Sequence, residues 1–159
     1  MLAITKKIKG LAELYSHMPS RLRLGASTYY SYRRLIQKTE NLSGLELKGF
    51  QLEQLKKIVH YSWENIKGYR EYWSDNNFSP DKLNTLEDIQ KIPCITKEIL
   101  RDNLDAFSYK KLKKIQKITT GGSTGIPFGF YQQRKNNIIE LAFMHEIWAP
   151  FYGSIDLRS

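Results

Sequence analysis

The chain has 159 residues, 41% of them hydrophobic and 26% charged, a balance that excludes a disordered or fibrous protein. Its length suits one domain or a piece of a larger one. A single thiol, Cys94, excludes a disulfide framework and suits a reducing cytoplasm, which is the predicted location.

At the N-terminus Ile4, Ile8, Leu11 and Tyr15 recur at helical spacing beside Lys6, Lys7 and Lys9, and Pro19 ends the segment. A second helix is predicted from about Ser20 to Lys38. It carries Arg21, Arg23, Arg33 and Arg34 among Leu22, Leu24, Tyr29, Tyr30, Tyr32, Leu35 and Ile36. The opening residues lack the continuous apolar segment of a signal peptide, and no stretch approaches the ~18 apolar residues of a spanning helix. A soluble chain without a transmembrane segment is expected.

Ser43 and Glu46 have the S-x-x-E spacing of a capping box. Leu52, Leu55, Ile58, Val59, Ser62 and Ile66 follow as one predicted helix face. "GYREYWSDNN", from Gly68, reads as a short helix ending in turn residues. Ser79-Pro80 and Thr85 to Asp88 start another short helix, stopped by Pro93, and Thr96 is the expected N-cap of the next. The pattern then changes: "IQKITT" and "FGFYQQ" read as short strands on either side of a glycine-rich run. From Arg134 helical spacing returns through Ile138, Leu141, Ala142, His145 and Trp148, with Pro150 as the expected terminator.

The formal charge of +9 is unevenly placed. Residues 1–39 hold eight Lys or Arg against one Glu, whereas residues 118–159 hold three against three. The basic excess therefore lies far in sequence from the glycine-rich run. Two basic, aromatic-rich helices suit an anionic membrane, a nucleic acid or a partner protein, and they equally suit a solvated face over an ordinary apolar stripe. "YKKLKKIQK", residues 109–117, has the same two readings: electrostatic attraction of ATP or CoA, or a charged strand edge that discourages association. His60 and His145 fall in helical segments as structural residues, Lys97 decorates a helix surface, and no metal-ligand spacing is visible.

"KITTGGSTGIPFGFYQ", residues 117–132, gathers three of the ten glycines within five positions. Glycines let backbone N–H groups approach an anion closely because no Cβ intervenes. Hydroxyls of Ser and Thr between them add donors for phosphate oxygens. The spacing matches neither the Walker loop nor the G-x-G-x-x-G dinucleotide fingerprint. The competing reading is a flexible hairpin turn, although a two-residue turn needs fewer glycines.

"TGGSTGIP" resembles the phosphate-binding loop of the adenylate-forming superfamily, T-[SG]-G-[ST]-T-G-x-P. On that match Thr120, Gly121, Gly122, Ser123, Thr124, Gly125 and Pro127 occupy the motif. The order "LEQLKKIVHYSWENIKGYREYW", "LEDIQKIPCITKEILRDN" and then the loop is similar to phenylacetate–CoA ligase-like proteins, nearest the capsular-polysaccharide-biosynthesis (CapK-like) group. The similarity covers roughly residues 45–159. Phe128 stands where most of the superfamily has lysine, and Gly121 where many relatives have serine.

The resemblance implies an α/β fold corresponding to the N-terminal part of the large domain of an adenylate-forming enzyme. Mostly helices would lead to a β-hairpin carrying the Gly-rich phosphate loop, with a further helix after it. Residues 1–39 would be basic amphipathic helices, and residues 40–159 an incomplete N-terminal adenylation domain with its phosphate loop at 119–128. It implies ATP as ligand, with Mg²⁺ in the complete enzyme, an unspecified carboxylate substrate, CoA as an acceptor, and a parent role in surface polysaccharide assembly. The family's later motifs for adenine, ribose, metal and the catalytic lysine are not found. The expectation is therefore an N-terminal fragment that is not a competent ligase by itself, whether truncated or completed by another chain, with apolar faces left exposed. The alternative is a non-catalytic module that binds through residues 1–39.

Overall fold

A computed structural model describes residues 25–109, 111, 115–120 and 127–153 of the chain. The first predicted helix, the start of the second, four of the nine residues of the lysine-rich run and the five loop residues from Gly121 to Gly125 lie outside them. The elements in order are α1 (Ala26–Glu40), α2 (Gly44–Asn65), α3 (Lys67–Asp75), 3-10 turns at Pro80–Lys82 and Leu86–Lys91, α4 (Lys97–Asp102), β1 (Ile115–Thr119), β2 (Gly129–Gln133) and α5 (Arg134–Tyr152). This is the helix-rich α/β arrangement expected. Among the described residues no helix is long and apolar enough to cross a membrane. The chain divides into two compact units, one of residues 42–134 and one pairing the N-terminal residues up to 41 with those from 135 onward.

The unit of residues 42–134 begins at the capping box. The backbone N–H of Ser43 donates to Glu46 Oε2 at 2.8 Å, and Glu46 N–H donates back to Ser43 Oγ at 3.4 Å. Helix α2 then runs to Asn65, and a single extended residue, Ile66, separates it from α3. The predicted face of α2 is the one turned inward, except at Ile58. Val59 is buried with Leu55 and Trp63 packed beside it, whereas Ile58 is 63% exposed. The 3.6-residue period allows Ile58 into a wide stripe, but α3 and the following turns cover only the Val59 side.

Those turns build the core. Asn77 adopts the left-handed conformation (φ 56°), tolerated by asparagine, and Phe78 N–H donates to Trp73 O at 2.8 Å. The reversal brings Phe78 edge-on to Trp73, with ring centroids 5.5 Å apart, and Leu83 closes the cluster at 2% exposure. The segment after Thr85 winds as a 3-10 turn, not the short α-helix its sequence suggests. Pro93 holds Ile92 in extended backbone, which ends the segment after six residues.

Asp88 holds that turn. Its carboxylate accepts from the backbone N–H of Asn84 at 2.7 Å, from Thr85 at 2.8 Å and from the Lys91 ammonium at 2.7 Å. The Lys91 hydrogen bond first, and then the two backbone donors, hold its carboxyl well below the usual carboxylate range. Thr96 caps α4 as expected, accepting from Ile99 N–H at 3.4 Å. Gly68 ties α3 to the turn after α4: its N–H donates to Ala106 O at 2.9 Å, and a Cβ there would stand 2.9 Å from the Ala106 carbonyl.

In the other unit, Tyr29 of α1 is fully buried and its hydroxyl bonds His145 Nδ1 of α5 at 2.7 Å. Arg33 pairs with Glu146, which also accepts from Gln37 Nε2 at 3.2 Å. Pro150 does not end α5. It lies in the final turn, where one missing rung is tolerated, and the helix stops at Tyr152 before Gly153 with φ 79°.

Two measurements check this account. Gly68→Ala places a methyl group against backbone that cannot move aside and is expected to cost about 1–3 kcal/mol in denaturant unfolding. Asp88→Asn is expected to lower the melting temperature at pH 7. A carboxyl depressed in the folded state stabilises above its unfolded value and loses that benefit as pH falls. The difference between wild type and Asp88→Asn should therefore narrow below about pH 3.9.

Candidate functional site

Strands β1 and β2 pair antiparallel in a register that sets Ile115 against Gln133, Lys117 against Tyr131 and Thr119 against Gly129. The ladder ends in a polar clasp. Thr120 N–H donates to Phe128 O at 2.9 Å, and Phe128 N–H donates to Thr120 Oγ1 at 3.1 Å. Residues 121–127 therefore leave and rejoin one closed pair of residues. The hairpin predicted around the glycine-rich run is present, with strand ends within a residue or two of those read from sequence.

Of the seven residues that the motif singles out, Thr120 and Pro127 are described, and both are exposed at the hairpin's end. Gly121, Gly122, Ser123, Thr124 and Gly125 lie outside the described residues. The clasp uses a lone pair of the Thr120 hydroxyl and leaves its proton free for another acceptor. Phe128 turns its ring onto Phe130, with centroids 6.2 Å apart and planes 18° from parallel. Position 128 thus contributes apolar stacking where the resembled motif has a cation.

The residues at 101–106 and the hairpin face bearing Lys117 and Tyr131 border an open hollow of about 610 Å³. Arg101, Asn103, Asp102 and Asp105 supply its remaining polar wall. This wall was not read from the sequence, because Arg101 and Lys117 are 16 positions apart and no motif joins them. His145 is a structural residue, bonded to Tyr29, whereas His60 is exposed on α2. Arg33, counted in the basic N-terminal face, is engaged by Glu146, whereas Arg34 is exposed.

Known proteins resemble part of the chain. The chain is 33% identical over 90 residues to "Phenylacetate-coenzyme A ligase" of Escherichia coli (strain K12), covering 55% of this chain and 21% of that protein. The same-named protein of Aromatoleum evansii is 34% identical over 94 residues, 58% of this chain and 21% of its own length. "Protein CapK" of Staphylococcus aureus is 30% identical over 116 residues, 73% of this chain and 24% of its own. The chain is similar to the phenylacetate–CoA ligase and CapK-like branch of the adenylate-forming superfamily. No family model matches it. The alignments span about a fifth to a quarter of these curated relatives. Within that branch this chain corresponds to an N-terminal portion.

The clasp gives a direct test. Thr120→Val removes the acceptor for Phe128 N–H while keeping the side chain's shape. Hydrogen exchange should show the Phe128 amide accelerated several-fold, with the α2 and α3 amides unchanged; the lost bond is worth about 1 kcal/mol.

Proposed function

We propose that this chain is the N-terminal portion of an ATP-dependent enzyme that activates a carboxylate as an acyl-adenylate for transfer to CoA or another acceptor. The loop 119–128 grips the β- and γ-phosphates. The observation that carries this reading is the clasp of Thr120 and Phe128 beneath a T-G-G-S-T-G-x-P run, in a chain whose relatives are named as CoA ligases. Bound MgATP supplies the electrophilic phosphorus and the leaving pyrophosphate. Thr120 offers a hydroxyl proton to a phosphate oxygen, Ser123 and Thr124 add hydroxyls, and glycines at 121, 122 and 125 remove the Cβ atoms that would hold an anion off the backbone.

Charge that develops at the α-phosphate needs positive groups aimed at the reacting phosphorus. A loop gripping the terminal phosphates holds the leaving group alone, so the chain in isolation binds phosphate without completing adenylation. Helix α5 supports the reading of a partial domain. Phe143, Met144, Ile147, Trp148, Phe151 and Tyr152 are between 42% and 76% exposed, as expected of a helix that further parts of a complete enzyme would cover. A cytoplasmic place in surface polysaccharide assembly follows from the family resemblance carried by the motif.

Calorimetry with MgATP and an assay of carboxylate-dependent ATP–pyrophosphate exchange test the two halves of this proposal. The wild-type chain should bind MgATP and show no exchange. Gly122→Val with Gly125→Val should abolish binding, and unchanged affinity would remove the loop from the site. Measurable exchange would refute the view that the chain is incomplete for catalysis.

A further inference from the structure

Helix α5 turns one side to α1: Ala142 is fully buried, His145 bonds Tyr29 and Glu146 pairs with Arg33. Its other side, from Phe143 through Ile147 to Tyr152, is open. Between Leu141 and Tyr152 the sequence holds a single Asp, Glu, Lys or Arg, which is Glu146. The side chain of Glu146 is 9% exposed and bound to Arg33, so the open side of this stretch carries no charged group. The aromatic rings there already pack on one another. Trp148 lies 6.0 Å from Phe151 and 5.8 Å from Tyr152 between centroids. The apolar surface continues onto α1, where Tyr32 lies 6.3 Å from Phe143 and Leu35 is also exposed.

We propose that the open side of α5 is a dimer interface, occupied by a second copy of this chain related by a two-fold axis. Size is the first ground. Aromatic side chains present about 150–250 Å² each, so four of them with Met144 and Ile147, at 42% to 76% exposure, leave roughly 700 Å² of α5 open. Two copies meeting there would bury roughly 1,400 Å², within the range of stable and specific pairs. Charge is the second ground. A two-fold contact sets a surface against itself, so any charge on it would meet its own kind. This face has no charge to repel its copy. Its composition, aromatic with Met and without Lys, Glu or Asp, is that of an interface centre. The inference does not rest on the phosphate-binding reading and stands whether or not the loop holds ATP. Where further parts of a complete enzyme cover α5, they compete with the second copy for the same face.

Sedimentation velocity and light scattering on the full chain, from low to high micromolar concentration, test the proposal. The mass should rise from the 18.6 kDa of one chain to twice that value and level off there. Added salt should leave this association unchanged or strengthen it, because it screens charges and not apolar contact. Ile147→Glu and Phe151→Glu each set two like charges across the axis and are expected to weaken the dimer at least about a hundredfold. Leu45→Glu, on the open first turn of α2, should leave the dimer intact. Far-UV circular dichroism verifies that each variant is folded. Ile147→Ser and Phe151→Ser, expected to weaken the dimer about tenfold, replace the charged variants should those unfold. A wild-type mass that stays at one chain, or climbs past two copies without a plateau, would overturn the proposal. So would a dimer that dissolves in salt or survives both Glu substitutions. Flotation of monomeric wild type with phosphatidylcholine–phosphatidylglycerol vesicles, lost in the Glu variants, would assign the face to a lipid surface instead.

Discussion

The missing side chain at Gly68 is the constraint on which the unit of residues 42–134 depends. Helix α3 meets the turn after α4 backbone to backbone, with a hydrogen bond from Gly68 N–H to Ala106 O and no room for even one carbon between them. That approach sets Tyr69 edge-on to Phe107, at 5.3 Å between centroids, and so joins the aromatic core around Trp73 to the segment leading into the hairpin. The hairpin needs such support, because two antiparallel strands alone are marginal in water. The loop is held at the end of that hairpin by the Thr120–Phe128 clasp.

The polar interactions divide by what they fix. Asp88 gathers two backbone donors and an ammonium in a turn that has too few residues to satisfy itself as a helix. Tyr29, His145, Arg33 and Glu146 instead join two helices that are distant in sequence, through a fully buried hydroxyl and a half-buried ion pair. The first device shapes a local segment. The second specifies a long-range pairing, since an ordinary apolar stripe would tolerate several registers between α1 and α5.

Much of this was legible because it is local. The Ser43–Glu46 box, the Thr96 cap and the strands flanking the glycines are each written within a few residues, and the backbone follows them. Ile58 was misread because a helical period shows a stripe but not which edge a neighbour covers. Pro150 was misread because the rule against proline concerns a helix interior, and only Gly153 provides the left-handed exit. The Tyr29–His145 bond and the hollow bordered by Arg101 and Lys117 could not be read at all, since each depends on chain reversals between the partners. For the motif, the loop residues are a reading of the sequence, whereas the clasp and the stem of Lys117 over Gly129 came from backbone register.

The division into two units also bears on the order of events during synthesis. Residues 42–134 are continuous, so their core can form from neighbouring segments as they leave the ribosome. Helix α1 is made before any of them, yet its partner α5 is made after all of them. Tyr29 and Arg33 must therefore remain without His145 and Glu146 until more than a hundred further residues have been added. Nascent α1, amphipathic and unpaired for that interval, is the part of the chain with most to gain from a chaperone.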